Sequence, residues 1–406
     1  MRTGFLTDKT NGSLFCVLLA AVGILLFRRY DAFTHPQLWA EDGPIFLQQY
    51  YEIGWATLFT SYAGYLHTAE RLIVLCWGNL DLLYLPTAYN ITVLLLYCWL
   101  IIYLWKSAVL LGLRHKSLYA LMFLVIPITS DVYMNVTNLN GIISLALINF
   151  LITRHVPPGT ARYIGFLLLL VIISLSGPTS IILCPVIFLF LFIRRRDLAP
   201  KVTLALALIF LCGTLQLYLV MFAGNDFHRG LNSVHESYHL GRMITSNVAD
   251  LFFLQDGPLS VIPHSIQVVI CMFLFVLMLW LFAKIYIKLK DSAKHLLLSI
   301  AILYMASTII TYWPAESQLL AMRNFSRYFV VPYVCILWIV LLALDKKINN
   351  IHILIYGAFI LAHTRLIRFS LIDKHWKQQI IEYRAGKREA IDINPNGWTF
   401  KLPSPR

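Results

Sequence analysis

Charged side chains are scarce in this sequence: they make up 13% of its 406 residues, whereas a soluble domain carries about 25%. Hydrophobic residues account for 59% of the chain, and the mean hydropathy is +0.71. This balance excludes an ordinary soluble enzyme and an intrinsically disordered protein. Aromatic residues reach 14%, which is typical of proteins whose Trp and Tyr side chains line two membrane interfaces. The composition therefore predicts a polytopic membrane protein.

The sequence also lacks the signatures of common soluble chemistries. All seven cysteines lie in or beside apolar runs, and none forms a CxxC or Cys/His spacing. This pattern argues against a disulfide framework and against a zinc site. No Walker A sequence, GxGxxG turn, HExxH helix or GxSxG elbow is present, so nucleotide-binding, metalloprotease and hydrolase folds lack their usual motifs. The sequence predicts no metal site.

The formal net charge is +13, which in a soluble protein would point to nucleic acid. In an inner-membrane protein Lys and Arg gather in the cytoplasmic loops, so we expect no nucleic-acid partner. The basic clusters predicted to face the cytoplasm are 114–116, 194–196, 284–294 and 346–347. The segments predicted to lie on the periplasmic side of a bacterial inner membrane are the loops near 131–140, 224–261 and 313–327 and the tail from residue 368.

Twelve apolar segments are candidate membrane helices, because a span needs about 20 apolar residues. Two of them, 72–86 and 89–111, separate a periplasmic first loop from the cytoplasmic cluster that begins at Arg114, and two crossings there give the wrong parity. We expect 72–86 to be re-entrant, because Asn79 and Asp81 interrupt it and protein can cover its backbone.

The predicted fold is all-α. We expect a polytopic transmembrane bundle of about 10–12 apolar segments over residues 1–367, which includes the periplasmic loop 29–70. A small periplasmic tail follows at 368–406. The turn residues from Asn394 to Trp398 predict that this tail forms an ordered cap.

Part of the first loop predicts an amphipathic helix at the membrane surface, beginning at Pro44, a favourable first helical residue. The side chains expected on the lipid are Ile45, Phe46, Tyr50, Ile53 and Trp55. Those expected to face water are Gln48, Gln49 and Glu52.

Glu41 and Asp42 are the only adjacent acidic pair among 20 acidic residues. A carboxylate at the membrane surface can take the proton from a sugar hydroxyl that attacks an activated donor carbon. The same two acids could instead cap the helix at Pro44, since anions favour a helix N-terminus. The local sequence leaves both interpretations open.

A patch of aromatic and polar residues follows the acids and suits a sugar, because aromatic faces bind its C–H surface and polar groups its hydroxyls. Its members, with Trp39, are assigned to substrate binding: Tyr62, Tyr65, His67, Glu70 and Arg71. An interfacial aromatic belt is the alternative. The amides of Asn135, Asn138 and Asn140 suit carbohydrate equally, although such residues also suit any turn.

Arg323 and Arg327 lie at the periplasmic entry to a predicted span, where basic residues are disfavoured. A planar guanidinium fork suits the phosphate of a lipid-linked donor. The alternative is that both arginines snorkel to the lipid headgroups.

Together these residues carry a family resemblance. The run from Trp39 to Phe46, then Tyr62-Ala-Gly-Tyr65 and Arg71, resembles the start of bacterial serotype-converting O-antigen glucosyltransferases. The sequences Ser176-Gly-Pro178, Arg327-Tyr-Phe329 and Ile393-Asn-Pro395 with Trp398 fit the same pattern. Such proteins are similar to the GT-C class of integral-membrane glycosyltransferases.

The resemblance implies a hexosyltransferase with undecaprenyl-phosphate-glucose as donor and lipid-linked O-antigen as acceptor, working at the periplasmic face of the inner membrane. Either Asp42 or Glu41 would be the catalytic base. A small flippase and a polyprenyl-phosphate glucosyltransferase would be functional partners. The sequence assigns no definite cofactor. A divalent cation could assist the reaction, although the sequence has no convincing set of ligands for one. A polysaccharide flippase or polymerase and a membrane acyltransferase are the competing functions.

Overall fold

A computed structural model describes residues 8–126, 128–193, 198–222, 264–289, 291–312, 326–349 and 372–401. The chain divides into two compact units. The first draws on 1–107, 130–227 and 370–406, and the second on 108–129 and 228–369. The predicted loop at 224–261, the segment 350–367, the cluster 194–196 and Arg323 lie outside the described residues.

The described residues are mostly helical, which confirms the all-α prediction. In chain order the helices are α1 Asp8–Arg28, α2 Tyr30–Thr34, α3 Gln48–Ile53, α4 Thr68–Trp77, α5 Leu85–Leu110, α6 Lys116–Leu121, α7 Leu139–Ile143, α8 Leu145–Thr153, α9 Thr160–Ser174, α10 Thr179–Ile193, α11 Pro200–Phe222, α12 His264–Lys288, α13 Ala293–Tyr312, α14 Val330–Leu344 and α15 Trp376–Arg384. The two strands, β1 Ile391–Ile393 and β2 Trp398–Phe400, form one antiparallel pair.

Within the residues that the structure describes, four helical stretches are long and apolar enough to cross a membrane, which supports the membrane-protein prediction. They are Leu85–Leu110, Pro200–Phe222, Ala293–Ile310 and Arg327–Leu344. Four shorter apolar helices accompany them: Ser13–Arg28, Leu139–Thr153, Thr160–Ser174 and Thr179–Ile193. The outward faces of these helices are rich in exposed Leu, Ile and Phe, as expected for side chains that meet lipid.

The segment 72–86, predicted to be re-entrant, contains the second half of the short helix α4, then a turn, and ends at the start of α5. The ten residues of α4 measure about 15 Å at 1.5 Å per residue, half of a hydrocarbon core about 30 Å thick. The helix ends against Gly78, where a Cβ atom would lie 2.3 Å from the ring of Tyr50. The hydroxyl of Tyr51 donates a hydrogen bond to the Gly78 carbonyl (2.9 Å). This length agrees with a segment that does not cross the membrane.

The predicted span at 117–130 was wrong as a continuous helix. Only α6 and a 3-10 turn at Met122–Leu124 are helical before a second 3-10 turn begins at Ser130. Pro127 explains the interruption, because proline has no N–H to donate and the residue before it avoids the α conformation. Phe123 and Leu124 are fully buried, so protein rather than lipid surrounds this stretch.

The surface helix predicted from Pro44 was partly wrong. The chain forms a π-helical turn at Gly43–Leu47, then α3, then a 3-10 turn at Gly54–Phe59. Phe46 is buried instead of facing lipid, and Gln49 binds Arg71 (2.7 Å) instead of water. The exposed apolar side chains of the segment are Ile53, Trp55 and Phe59. The change of helix type after Leu47 rotates the apolar stripe, so a single 3.6-residue periodicity does not apply to it.

The tail forms the ordered cap that its turn residues predict. Strand β1 pairs with β2 through Ile391↔Phe400, Asp392↔Thr399 and Ile393↔Trp398. Two contacts fasten the residues before the hairpin: the Gln37 side chain donates to the Ile372 carbonyl (3.0 Å), and the Trp376 indole donates to the Leu82 carbonyl (2.9 Å). The tail therefore packs on the first loop.

In the second unit, one carboxylate joins two of the predicted cytoplasmic clusters. Asp345, beside Lys346, accepts hydrogen bonds from the backbone N–H groups of Arg114 (2.7 Å) and His115 (2.9 Å) and contacts Nδ1 of His115 (3.0 Å). Burial opposes its ionisation, but these bonds prevail and hold the pKa of Asp345 below its usual value. The contact brings the loops at 114–116 and 346–347 together. Loops in contact lie on the same side of a membrane, which agrees with the same predicted side for these two clusters.

We expect a reporter that is active only outside the cytoplasm to be inactive when fused after residue 116 or 347. Those two sites belong to clusters of Lys and Arg, which stay on the cytoplasmic side. The reporter should be active when fused after residue 240 or 386, because counting the crossings places the loop 224–261 and the tail in the periplasm. Reporter activity and expression of each fusion provide the measurement. Activity of the fusion after 347 but not after 116 would contradict the shared side that the Asp345 contact requires.

Candidate functional site

Asp42 is buried in a 3-10 turn at Ala40–Asp42 and is held by fixed hydrogen bonds. Its Oδ1 accepts from the backbone N–H (2.8 Å) and the hydroxyl (2.6 Å) of Thr137, and its Oδ2 accepts from the N–H of Trp39 (3.2 Å). From the tail, the carbonyl of Asn394 accepts the N–H of Ala40. The loop of Thr137 thus contacts the Asp42 carboxylate, and the tail contacts the turn that holds it.

Burial raises the pKa of Asp42 to about 7, even though its hydrogen bonds from Thr137 and Trp39 act in the opposite direction. The negative charge of the neighbouring Glu41 adds to the increase. Glu41 is also buried, and among the described residues none bonds its Oε2. Asp42 therefore exchanges its proton near neutral pH, which is the property that a general base needs.

A second buried carboxylate, Glu70, lies in the first turn of α4. The turn after α9 positions this helix end: the Ser176 hydroxyl accepts the N–H of Ala69 (2.8 Å), and the Leu175 carbonyl accepts the N–H of Thr68 (3.2 Å). No described side chain donates a hydrogen bond to either Glu70 oxygen.

Glu70 and Asp42 interact electrostatically. Burial raises the pKa of Glu70 to about 8, and the charge of Asp42 contributes to the rise. Backbone N–H groups of Glu70 and Asn140 and the charge of Arg71 oppose it. Near pH 7 the Glu70 side chain is therefore mostly protonated.

Arg71 is the cation next to this pair and is completely buried. Its Nη1 donates to Gln49 (2.7 Å) and to the hydroxyl of Thr57, and its guanidinium lies 5.5 Å from the centre of the Phe46 ring. Burial lowers the pKa of Arg71 to about 10, so it stays charged at neutral pH. Nε and Nη2 find no hydrogen-bond partner among the described residues.

The predicted aromatic patch assembles around His67. The His67 ring centre lies 4.8 Å from Tyr65, 5.8 Å from Tyr62 and 5.2 Å from Phe46. Tyr62 and Tyr65 exchange two backbone hydrogen bonds across a tight turn, in which Ala63 and Gly64 have positive φ angles of 52° and 88°. This turn brings both tyrosines to one side of His67.

The predicted amide loop has a structural role at two of its three positions. Asn135 and Asn138 both donate to the carbonyl of Asp131 (2.6 and 3.1 Å), and Asn135 accepts the N–H of Asn138 (2.9 Å). These bonds shape the loop that presents Thr137 to Asp42. Asn140 is half-buried and lies against Gly177, where a Cβ atom would be 3.3 Å from the amide. Sugar binding by the three amides stays a prediction.

Arg327 belongs to the second unit and lies in a 3-10 turn at Ser326–Phe329. Its guanidinium is half-buried and stacks over the ring of Tyr328 at 5.2 Å. Because Arg323 lies outside the described residues, the role of the two arginines as a phosphate clamp stays a prediction.

Two residues that support the site were missed by the sequence analysis. Thr137 has no motif of its own and is recognised only from its contacts with Asp42 and with the Trp39 carbonyl. Gln216 is fully buried in α11, and its side chain accepts the N–H of Leu66 (2.9 Å) and donates to the same residue's carbonyl (3.3 Å). The sequence does carry one signal for Gln216: it is the single amide in a 23-residue apolar helix. Polar side chains in such helices face protein, so a buried contact could have been predicted for it.

Within the described parts of the chain, no group of three His, Cys, Asp or Glu side chains is arranged to hold a metal ion. Comparison of the chain with protein-family models, with curated proteins and with solved structures found no match. The function therefore has to be inferred from the residues and geometry of this site.

The variant Glu70→Gln should be more stable than the wild type at pH 8, with a difference that shrinks toward pH 4. A carboxyl whose pKa is raised by folding loses stability as the pH rises from its unfolded value, about 4.5, to its folded value, about 8. A neutral amide avoids that loss, and one pKa unit corresponds to about 1.4 kcal/mol. Thermal unfolding of the purified protein in detergent at several pH values measures the effect.

The control is Glu389→Gln, which neutralises an exposed carboxylate and should leave the pH dependence of unfolding unchanged. Equal effects of both substitutions would refute the buried, protonated state of Glu70.

Proposed function

We propose that the chain is a polyprenyl-phosphate-sugar-dependent hexosyltransferase. It transfers a glucosyl residue from undecaprenyl-phosphate-glucose to lipid-linked O-antigen at the periplasmic face of the bacterial inner membrane. The observation that carries the proposal is the buried carboxylate of Asp42, whose pKa of about 7 suits proton transfer at neutral pH. The apolar helices and the aromatic group around His67 add a lipid environment and a sugar-binding surface.

The reaction requires one proton acceptor and one leaving group. A hydroxyl of the acceptor sugar attacks C1 of the donor sugar, and its proton passes to Asp42. The bond between C1 and the phosphate oxygen breaks, and its electron pair leaves with polyprenyl phosphate. A base with a pKa near the working pH is half ionised, which allows both proton uptake and release.

Asp42 is better suited than Glu41 to be the base. Its Oδ1 already accepts two hydrogen bonds from Thr137, whereas Oδ2 accepts only the N–H of Trp39. A carboxylate oxygen has two lone pairs, so Oδ2 keeps one for the attacking hydroxyl. The bonds to Thr137 hold the carboxylate in one orientation. A fixed orientation increases the reaction rate, because a base must be aligned with the proton that it removes.

A purely structural role for Asp42 is the alternative, because the same hydrogen bonds also fix the loop. The two roles differ in their pH dependence. A structural carboxylate affects folding, whereas a catalytic base also sets the pH at which sugar transfer begins.

Asp42→Asn should reduce transfer by about 10²–10⁴-fold, the usual contribution of a general base, while Glu41→Gln should have a smaller effect. Thr137→Val removes a hydrogen bond that lowers the pKa of Asp42, so the acidic limb of kcat/KM should move to higher pH. Transfer from defined undecaprenyl-phosphate-glucose in detergent is the assay. Asp373→Asn, at a partly exposed carboxylate in the tail, is the control.

Near-normal transfer by both Asp42→Asn and Glu41→Gln would remove the acid pair from the mechanism. An unchanged pH profile in active Thr137→Val would leave Asp42 with the structural role only.

A chain that ends after Glu389 lacks the hairpin and the contact between Asn394 and Ala40. We expect its transfer rate to fall on the order of 100-fold, because small displacements of a catalytic group cost that much. A chain that ends after Lys401 keeps both strands and serves as the control. Equal rates of the two truncated chains, at equal amounts in the membrane, would show that the hairpin does not position Asp42.

A further inference from the structure

One edge of the buried Arg71 guanidinium has no hydrogen-bond partner in the described parts of the chain. Nη1 is bound by Gln49 and Thr57, but Nε and Nη2 have no hydrogen-bond partner in the parts of the chain that the structure describes. These two N–H groups lie in the guanidinium plane along one edge and point in parallel. They form the fork that binds two oxygens of one phosphate or carboxylate.

The charge around Arg71 favours an anion. No described carboxylate forms a salt bridge with Arg71. The charge of Glu70 acts on Arg71, but Glu70 is mostly protonated near pH 7. A buried cation without a counter-ion is costly, and its unsatisfied donors add to that cost. An anion at the Nε/Nη2 edge would remove both costs. Arg71 stays charged because burial lowers its pKa only to about 10.

We propose that the Nε/Nη2 edge of Arg71 binds the phosphate group of the lipid-linked sugar donor. The assignment rests on the proposed function and adds a phosphate-binding group to the same unit that holds Asp42. A phosphate is favoured over a neutral sugar hydroxyl because the fork presents two parallel charged donors. When the bond from C1 to the phosphate oxygen breaks, the electron pair stays on that oxygen, and Arg71 stabilises the charge that develops there.

The surrounding contacts fix the direction of this edge. Gln49 and Thr57 hold Nη1 from one side, and the Phe46 ring covers a face of the guanidinium. The same Phe46 ring contacts His67 of the aromatic group. The phosphate-binding edge and the sugar-binding surface therefore share one aromatic side chain, as a sugar phosphate requires.

The test is binding to the purified full-length protein in detergent. The probes are undecaprenyl phosphate, undecaprenol without phosphate, phosphatidylglycerol and inorganic phosphate. The wild type should bind undecaprenyl phosphate more tightly than the other three. Arg71→Lys keeps the charge but loses the fork, and it should weaken binding of undecaprenyl phosphate at least about tenfold. Arg162→Lys, at an exposed position of α9, should bind like the wild type.

Glu70→Gln provides a second variant if Arg71→Lys unfolds. When the wild type is taken from pH 7 to pH 9, Glu70 and Asp42 both ionise, and the added negative charge should weaken phosphate binding. Glu70→Gln removes one of these charges, so it should bind undecaprenyl phosphate more tightly than the wild type at pH 9 and equally at pH 6.5. No difference at pH 9 would overturn the proposal.

The outcomes distinguish failure of the phosphate site at Arg71 from failure of the proposed glycosyltransferase function. Wild-type binding of undecaprenyl phosphate by Arg71→Lys overturns the phosphate role of Arg71, even if sugar transfer is observed. Arg71-dependent binding without any sugar transfer supports the phosphate site and counts against the glycosyltransferase. Equal wild-type affinity for undecaprenyl phosphate and phosphatidylglycerol would overturn a donor site and indicate a headgroup site.

Discussion

Irregular backbone that is buried in a largely apolar protein must find its hydrogen-bond partners within the chain. This constraint organises the whole candidate site. Asp42 binds the backbone of Trp39 and Thr137, Ser176 binds that of Ala69, and Gln216 binds both backbone groups of Leu66. In each case a polar side chain bonds backbone groups of a loop and fixes the conformation of that loop. The apolar helices form the scaffold, and these few polar contacts position the loops on it.

Apolar runs predicted most helices, because a long run of Leu, Ile and Phe has few stable conformations other than a buried or membrane-embedded helix. The prediction failed at 117–130, where Pro127 interrupts the run, and at Phe46, where the helix type changes along the chain. The acid pair and the aromatic patch were recognisable because such side chains are conspicuous in an apolar sequence. The role of Thr137 and the lack of described hydrogen-bond partners at Nε and Nη2 of Arg71 could not be predicted, because both depend on contacts between residues that are distant in sequence.

Burial shifts the pKa values of the site residues and also lowers the stability of the fold. The same loss of water raises the pKa of Asp42 and Glu70. It also makes the buried charge of Arg71 unfavourable unless an anion binds it. Each group alone would destabilise the fold. Together they form a set whose charge depends on pH and on what is bound, so that a ligand of the right charge would strengthen the protein that binds it.

The contact between the first loop and the tail also has a consequence for synthesis. Gln37 and its partner Ile372 are 335 residues apart. At about 5–20 residues per second, the ribosome needs roughly 20 to 70 s to make the intervening chain. During that interval Asp42 lacks the Asn394 contact that holds its turn. A nascent or prematurely terminated chain therefore carries the acid pair without its support, and completion of the tail becomes the step that matures the site.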